Sequence, residues 1–326
     1  MSTNVWPTES TRRKLCRRCR DRLTRFRRPI TRNSEQFTAA ETRESFLFVS
    51  PAVLLMILLI LVPVVGTLVT SLYRDVGYLP KQLSFPSNYL RLFTDIHFWQ
   101  ALQFTVLFVV ISVSVELVLG LVFALLLNET LPGRGLLRVM LLLPWAIPNA
   151  VSARVWELAY NYEFGVLNFL LSSSGISQAG VNWLGSSTGA MVAVLIADIW
   201  KMTPFVTIIL LAGLSSIPRD IYRQAAVDGA TPYQRFYHIT IRLLKPALVV
   251  ALLFRTIDCI RVFDLLYVLT GGGPGGSTTS LSLYAYRFYL AGDFGYGSTV
   301  SVVVFLLAFV LGLAYIRLAS FSEALR

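Results

Sequence analysis

The chain of 326 residues contains six long apolar windows, and these constrain its fold more strongly than any other feature. Each window is close to the roughly 20 residues that an α-helix needs to cross the hydrocarbon core of a bilayer. Lipid offers no hydrogen-bond partners, so a segment that crosses it must bond its own backbone groups, as a helix does. The windows predict an all-α, polytopic membrane protein with six transmembrane helices, at residues 46–72, 101–127, 137–158, 190–213, 247–269 and 298–318.

The composition also indicates that lipid surrounds most of the chain. Charged residues make up only 14% of the sequence, and hydrophobic residues make up 55%. A soluble globular domain carries about 25% charged residues. These proportions exclude an ordinary soluble enzyme or binding domain as the main body of the protein.

The basic residues indicate which ends of the spans face the cytoplasm. The formal net charge is +11, and 12 of the 29 Lys and Arg residues lie in residues 1–45. If the N-terminus is cytoplasmic, the segments predicted to lie inside, together with Arg138 and Arg317 at span ends, carry 21 basic residues, and the outside loops carry four. Cytoplasmic loops of membrane proteins are enriched in Lys and Arg. Both termini are therefore predicted to be cytoplasmic, in a cell inner or plasma membrane.

The sequence divides into an N-terminal tail, a transmembrane domain and a short C-terminal segment. Residues 46–320 are predicted to form the transmembrane domain, and residues 321–326 a cytoplasmic C-terminus. The basic tail, residues 1–45, has no apolar stretch of the kind found in a cleaved signal. It is predicted to be a disordered cytosolic arm that lies on anionic lipid. Its Cys16 and Cys19 form a lone C-x-x-C pair, which leaves metal or redox chemistry as a weak alternative.

The third predicted span contains two prolines, Pro144 and Pro148. Each proline removes a backbone hydrogen bond and tends to kink a helix. In membranes such breaks usually lie against protein or a cavity. A kink that faces the interior of the protein is therefore expected in this span.

Residues 214–246 differ from the other parts of the chain after residue 45, because they are polar, amphipathic and basic. Pro218 suits the first turn of a helix, and Gly229 can adopt the left-handed conformation that ends one. Thr231 and Gln234 form a capping-box pattern that begins a second helix. The segment is predicted to be a cytosolic helix-turn-helix, with helices over about 218–228 and 231–241.

The same segment resembles the EAA loop of binding-protein-dependent ABC importer permeases. The resemblance is carried by Ile217-Pro218, Ala225-Ala226-Val227-Asp228-Gly229-Ala230, Phe236, Ile239 and Pro246. Other segments, in chain order, resemble the maltose-type carbohydrate branch of that family, among them Gly165-Val166-Leu167-Asn168, Trp200-Lys201, Leu211-Ala212-Gly213-Leu214 and Tyr267-Val268-Leu269-Thr270. Together these segments cover roughly residues 46–320.

In that family the loop docks into a cleft of a cytosolic ATPase subunit. The resemblance therefore implies that the residues coupled to the ATPase are Arg223, Ala225, Ala226, Asp228, Gly229, Ala230 and Phe236. The chain departs from the family pattern where the family's glutamate falls at Arg223, its first alanine at Gln224 and a proline at Arg242. These changes alter the charge that the loop offers to an ATPase.

Four basic residues fall inside predicted spans, each three positions from an acidic residue. Residues at i and i+3 are neighbours on a helix, so ion pairs within the helix are expected. The predicted pairs are Arg154 with Glu157, Lys201 with Asp198, Arg255 with Asp258, and Arg261 with Asp258 or Asp264. Each three-residue step rotates back by about 60°. Arg255 and Asp264 are therefore predicted to lie on opposite sides of the helix. The charged residues between 255 and 264 then cannot all face the same transport pathway.

Charge within a membrane normally faces a cavity or a partner. Arg255 and Asp258 lie near the middle of the fifth predicted span, so they are candidate contacts for a substrate, and a guanidinium beside a carboxylate suits paired sugar hydroxyls. The substrate contacts of related sugar permeases add Lys201, Phe205 and Cys259 by resemblance. Two alternatives stay open: the charges neutralise one another within helices, and Phe205 packs in the core.

The resemblance implies the permease subunit of an ATP-driven, binding-protein-dependent importer of a carbohydrate, such as a disaccharide or polyol. This subunit would form half of an alternating-access pathway. The sequence contains no Walker motif, so we do not expect the chain to be an enzyme. We also expect it to bind no cofactor or metal. ATP and Mg²⁺ are expected on a separate ATPase. The expected partners are a second homologous permease, two cytosolic ATPase subunits, an extracytoplasmic solute-binding protein and membrane lipid, with no nucleic acid.

Two other classes of function remain as alternatives. An ion- or proton-coupled transporter could use the buried charges as a relay, but no inverted repeat of hydropathy accompanies them. A membrane-embedded enzyme would need catalytic residues within the spans. The two histidines, His97 and His238, both lie outside the predicted spans, and no H-E-x-x-H or G-x-S-x-G motif occurs.

Overall fold

The computed structural model describes residues 39–129, 132–175 and 180–323, and the side chains of residues 46–317 within them. Residues 1–38, which include Cys16 and Cys19, and residues 324–326 lie outside the described part of the chain. The described residues are mostly helical, with one short two-stranded sheet among them. The predicted all-α class is confirmed.

The helices are numbered here in chain order. They are α1 (Ala39–Met56), α2 (Val62–Ser71), α3 (Ser87–Thr94), α4 (Ile96–Asn128), α5 (Arg134–Ala146), α6 (Asn149–Ala159), α7 (Val166–Ser173), α8 (Ser187–Ser215), α9 (Arg219–Val227), α10 (Pro232–Arg235), α11 (Ile241–Ile260), α12 (Asp264–Leu269), α13 (Leu281–Leu290) and α14 (Phe294–Glu323). π-helical turns at Ile57–Leu61 and Phe236–Thr240 join α1 to α2 and α10 to α11. Strands β1 (Tyr73–Arg74) and β2 (Gln82–Leu83) pair antiparallel, with Tyr73 opposite Leu83.

The chain divides into two compact units, Met1–Pro63 and Val64–Arg326. The first predicted span, 46–72, corresponds to the helical segment Phe46–Ser71. It is continuously helical, and its most apolar window has no buried residue within the described chain. A helix that is apolar all round suits a hydrocarbon environment.

Within the second unit, α8 lies at the centre and packs along α4. More than half of the most apolar window of α8 is buried, compared with 28% for α4. The two helices approach closely at Gly120, where an added Cβ would lie 2.6 Å from Cγ1 of Val206. Small residues permit such close helix contacts in membranes. The α4–α8 pair therefore forms the frame against which the other helices are placed.

The third predicted span is broken rather than merely kinked. Helices α5 and α6 meet at an angle of 95°. Pro144 lies inside α5, and Pro148 caps the start of α6. The prolines thus produce the predicted interruption, but with a much larger change of direction.

Five of the six predicted crossings correspond to helices that could span a membrane, if the bent pair α5–α6 forms one span. By length and composition, four described helices could span a membrane, and the bent pair α5–α6 could form a fifth span. The segment predicted as the fifth span, 247–269, forms the end of α11, a break at 261–263 and the short helix α12. It carries Arg255, Asp258, Arg261 and Asp264, and the burial of charge in hydrocarbon is costly.

On the side of the helices that bears β1, Asp95 links three elements. Its carboxylate accepts hydrogen bonds from the hydroxyls of Tyr284 on α13 and of Tyr296 on α14, the latter at 2.7 Å. Burial disfavours the charged form of Asp95, but these hydrogen bonds outweigh burial and lower its pKa below the usual value. Arg91 lies over the ring of Tyr296, 4.2 Å from its centroid. These tyrosines therefore hold α13 and α14 against the start of α4.

Candidate transport cavity and coupling hairpin

A polar cavity of about 330 Å³ lies where α8, α11 and α12 meet the start of α6. Four of the five predicted pathway residues line it, namely Lys201, Arg255, Asp258 and Cys259. The fifth, Phe205, lies outside the lining and stacks on Trp145 with ring centroids 6.0 Å apart. The structure therefore brings the predicted polar residues together and places the predicted aromatic residue elsewhere.

Arg255 is held by acidic residues from three helices. Its Nε and Nη2 atoms donate to the two carboxylate oxygens of Glu116 on α4, with Nη2 2.7 Å from Oε1. Nη2 also lies 2.9 Å from Oδ2 of Asp198 on α8, and Nη1 lies 2.8 Å from Oδ2 of Asp258 on its own helix. Because a two-pronged guanidinium–carboxylate pair is strongly directional, Glu116 fixes the orientation of Arg255.

Two uncharged groups complete this cluster. Ser112 lies one turn before Glu116, and its hydroxyl is 2.9 Å from Oε1 of Glu116 and 2.5 Å from Oδ2 of Asp198. Cys259 is buried, and its sulfur lies 3.1 Å from Nη2 of Arg255. The cluster ties α4, α8 and α11 together, and removal of one partner would leave a buried charge uncompensated.

Asp258, rather than Arg255, presents the accessible charge of the cluster to the cavity. The Arg255 side chain is 1% exposed, whereas that of Asp258 is 41% exposed. Arg261 is also exposed, and its Nη2 atom lies 3.6 Å from Oδ1 of Asp258. Arg255 lines the cavity but offers few free donors to a sugar, because Glu116, Asp198 and Asp258 accept hydrogen bonds from its guanidinium group.

The predicted separation of Arg255 from Asp264 is also wrong. Both residues line the same cavity. The helix ends at Ile260, and Phe263 has non-helical backbone angles of φ −137° and ψ −62° before α12 begins. This change of direction returns Asp264 to the side that carries Arg255. Opposite placement of the two residues would require a continuous helix through residue 269.

Lys201 is bound to the broken third span. It is buried, and its ammonium group donates to the carbonyl oxygens of Ile147 and Pro144, the latter at 3.4 Å. The last carbonyls of a helix have no partner within the helix, and a cation is favourable at that end. Lys201 therefore stabilises the end of α5 and does not form the predicted pair with Asp198, whose carboxylate contacts Arg255 and Ser112.

The other predicted ion pairs are present. Arg154 and Glu157 lie 2.6 Å apart, and Arg255 and Asp258 lie 2.8 Å apart. The sequence reasoning missed Glu116, which is fully buried. A lone carboxylate within the apolar window 101–127 was the available signal, because such a residue requires a partner in another helix.

An aromatic cluster beside the cavity was also missed. Phe263 lines the cavity, and its ring lies 5.4 Å from that of Tyr267 and 4.9 Å from that of Tyr286. Tyr267 and Tyr286 themselves are 5.5 Å apart. Aromatic rings beside polar groups suit a ligand that has both apolar and hydroxyl faces.

The predicted hairpin geometry is largely present. Helix α9 runs from Arg219 to Val227, and Gly229 has a φ of +82°. Thr231 and Gln234 form the predicted capping box, with the Thr231 amide 2.8 Å from Oε1 of Gln234. The prediction that the second helix ends near Ile241 is wrong, because residues 232–260 are continuously helical through the π-helical turn.

The hairpin exposes apolar surface at its bend. Val227 is 88% exposed, Tyr233 is 74% exposed and Tyr237 is 60% exposed. The rings of Tyr233 and Tyr237 stack on each other, with centroids 6.3 Å apart. Phe236 and Ile241 are only partly exposed. Contiguous exposed apolar residues with a polar rim are typical of an interaction site.

The seven predicted coupling residues lie on or beside this bend. Arg223, Ala226, Asp228 and Gly229 are exposed, and Ala225, Ala230 and Phe236 are partly exposed. Arg223 forms a pair with Asp220 at 3.2 Å, in which both side chains are solvent-exposed. Tyr222 and Thr240 join the two arms through a 3.0 Å hydrogen bond between their hydroxyls. This hydrogen bond connects the two helical arms of the hairpin behind the exposed residues of its bend.

Residues 116–322 match the family described as binding-protein-dependent transport system inner membrane component. This chain belongs to that family. The resemblance inferred from the hairpin is therefore confirmed, and the permease is a multi-pass protein of the inner membrane.

Named relatives extend over most of the permease. It is 49% identical to the trehalose/maltose transport system permease protein MalF of Thermococcus litoralis, covering 87% of this chain and 96% of the relative. It is 38% identical to the trehalose transport system permease protein SugA of Mycobacterium tuberculosis, covering 86% of this chain and 89% of the relative.

A solved structure shares the fold. In the crystal structure of a bacterial ABC transporter involved in the import of the acidic polysaccharide alginate, one chain superimposes with a TM-score of 0.74. The match has 23% sequence identity and covers 86% of this chain and 96% of that chain. At this level of identity the likeness supports the fold alone.

Proposed function

We propose that this permease is one of two membrane subunits of an ATP-driven importer for a neutral carbohydrate, such as a disaccharide or polyol. The observation that carries the proposal is the polar cavity of about 330 Å³ among otherwise apolar helices. A hydrated polyol that leaves water must exchange its hydrogen bonds for protein groups. Asp258, Arg261, Asp264 and Asn149 supply such groups at the cavity, and relatives named for trehalose and maltose transport support this class of cargo.

The exposed charges favour a neutral cargo over an anionic one. Asp258, Asp264 and Arg261 are the accessible charged groups among the described lining residues, whereas Arg255 and Lys201 are buried and already bonded. Two carboxylates and one guanidinium repel an added negative charge. Specificity can arise from such repulsion as well as from attractive contacts.

The hairpin is the proposed docking site for an ATPase. Its exposed tip, formed by Val227, Tyr233 and Tyr237, suits a cleft on a cytosolic partner. Closure of two ATPase subunits would move the hairpins of two permeases towards each other, and the attached helices would change between inward-open and outward-open packing. The second permease would be a homologous chain, and a solute-binding protein would deliver cargo from outside.

The proposed topology has six crossings and both termini in the cytoplasm. The bent pair α5–α6 supplies one crossing beyond the four apolar helices, and residues 241–269 supply another. Single cysteines placed at Tyr78 and at Asp228 test this arrangement in intact cells. An impermeant thiol reagent should label position 78 and not position 228. The reverse pattern, or equal labelling of the two positions, would contradict the topology.

Transport of a labelled sugar panel tests the function. Cells that express the permease with its neighbouring binding-protein, permease and ATPase genes should accumulate neutral disaccharides or polyols but not matched sugar acids. Accumulation of the acids with equal efficiency would contradict the neutral class. No accumulation of any sugar, with all subunits present in the membrane, would contradict carbohydrate transport.

A further inference from the structure

An apolar groove of about 350 Å³ lies between α4, α5 and α8, away from the transport cavity. Its walls include Leu127 of α4, Leu141 and Leu142 of α5, and Ile208, Leu211 and Ala212 of α8. Along α8 it extends from Thr207 to Ser215, which is about 12 Å at 1.5 Å per residue. The groove is therefore elongated, parallel to a membrane-spanning helix, and apolar.

Arginine side chains lie at the end of the groove near Ser215. Arg138 lines the groove itself. Arg134 precedes it by one turn on the same face of α5 and lines a neighbouring cavity of about 560 Å³ that also includes Ser215 and Arg219. Under the proposed topology this end lies at the cytoplasmic surface, where Lys and Arg meet anionic lipid.

The Nε atoms of Arg134 and Arg138 are buried, and neither has a hydrogen-bond partner among the described residues. A buried donor without an acceptor destabilises a protein, because it has lost its hydrogen bonds to water. Two such donors on one face of α5, one in the apolar groove and one in the adjacent cavity, point to an acceptor that the described residues do not supply. The guanidinium fork is well matched to phosphate oxygens.

We propose that this groove binds an anionic phospholipid of the inner leaflet. One acyl chain lies along α8 against Leu211 and Ile208, and the phosphate accepts hydrogen bonds from Arg138 and Arg134. The groove is long and apolar, and it has positive charge at one end. It therefore matches a lipid better than a free anion, which would leave the apolar part of the groove empty. Because Arg134 also lines the cavity that reaches Arg219, the bound headgroup lies next to the base of the hairpin.

Lipid retention by the purified, complete importer tests the proposal. The transporter is placed in nanodiscs of phosphatidylcholine with or without phosphatidylglycerol, and bound lipid is counted by native mass spectrometry. One variant combines Arg134→Gln with Arg138→Gln and removes the charge. A second, Ala212→Phe, fills the groove and keeps the charge. Arg74→Gln, an exposed arginine outside the groove, is the matched control.

The arginine variant loses two charge-assisted hydrogen bonds to the phosphate, so it should retain phosphatidylglycerol on the order of a hundredfold less tightly. Ala212→Phe should also lose it, and Arg74→Gln should not. Soluble glycerol phosphate should not displace the lipid. Equal retention by wild type and both groove variants would overturn the proposal. The proposal would also be overturned if Arg74→Gln lost phosphatidylglycerol equally, or if Ala212→Phe bound it with undiminished affinity. Displacement of the lipid by glycerol phosphate would overturn it as well.

Discussion

Arg255 donates two hydrogen bonds to the carboxylate of Glu116, which lies 139 residues earlier in the chain. Both side chains are buried, and Asp198 and Asp258 complete the shell around the guanidinium. When Lys201, Arg261 and Asp264 are included, three basic residues lie near four acidic ones, so most of the charge in this region is compensated. The pair explains how so polar a cluster is accommodated between apolar helices.

Glu116→Ala should destabilise the permease strongly. Removal of one partner of a buried ion pair costs about 3–5 kcal/mol, because the other charge remains buried. Glu116→Gln should cost less, since the amide oxygen can still accept from Arg255 and two carboxylates remain nearby. Thermal unfolding in detergent measures both variants. The matched control is Glu157→Gln, whose partner Arg154 is largely exposed, and which should change stability by less than about 1 kcal/mol. Equal effects at 116 and 157 would show that the buried pair has no special role.

Asp258→Asn should weaken cargo affinity more than stability. Asp258 is the partly exposed carboxylate of the cluster, and a hydrogen bond to a charged group contributes about 1.5–3 kcal/mol. The half-saturating concentration for uptake should therefore rise about tenfold or more. Glu163→Gln, in an exposed loop, serves as the control and should leave uptake unchanged. An Asp258→Asn permease with normal affinity and normal stability would exclude this residue from the pathway.

Gly229→Val should uncouple the permease from its ATPase. Gly229 has a φ of +82°, and an added Cβ would meet no atom within 4 Å, so the cost is backbone strain of about 1–2 kcal/mol. Gly133 provides a matched control, because it has a φ of +76° and equally open space. Gly133→Val should suffer similar strain and retain coupling. Co-purification of the ATPase and ATP-dependent uptake report the result, and equal loss in both variants would assign the effect to strain alone.

The double variant Tyr233→Ser, Tyr237→Ser should lose ATPase binding without unfolding. Both rings are largely exposed, so their removal disturbs little of the permease itself, whereas exposed aromatic residues often dominate the energy of an interface. Tyr78→Ser, at a fully exposed tyrosine of the β1–β2 hairpin, is the control. ATPase binding is measured by pull-down. Unchanged binding by the double variant would show that the exposed tip is not the docking surface.

Asp95→Asn should change how the stability of the permease depends on pH at acidic pH. Hydrogen bonds from Tyr284 and Tyr296 hold the pKa of Asp95 below its usual value, so its charge stabilises the fold above the unfolded pKa of about 3.9. That contribution is lost as pH falls through the lower folded pKa. Asp95→Asn should therefore be less stable than wild type at pH 7, and the difference should shrink at lower pH. A difference that grows on acidification would contradict this assignment.

The hairpin shows what could be predicted from the sequence. Local rules located Gly229 at a left-handed position and found the Thr231–Gln234 capping box, because both depend on a few neighbouring residues. The continuation of α10 into α11 was not predictable in this way. Packing of the π-helical turn, with Thr240 bonded to Tyr222, depends on contacts between the two arms.

The cavity shows the limit of periodicity. Spacing correctly paired Arg255 with Asp258 but assumed an unbroken helix, and so it separated Arg255 from Asp264. The partners that decide orientation lie far away in the chain, Glu116 for Arg255 and the α5–α6 break for Lys201. Only the tertiary structure joins them, although a lone carboxylate in a span already required a partner.

Energy coupling in proteoliposomes tests the central claim most directly. The complete importer, with this permease, its partner permease, its ATPase and its binding protein, is reconstituted with ATP on the side of the hairpin. Ion gradients are then collapsed with ionophores. The account predicts that sugar uptake persists with ATP, stops when ATP is withdrawn and is lost in Gly229→Val. Uptake that stops with the ion gradients while ATP remains, or that proceeds through this chain alone without an ATPase, would contradict it.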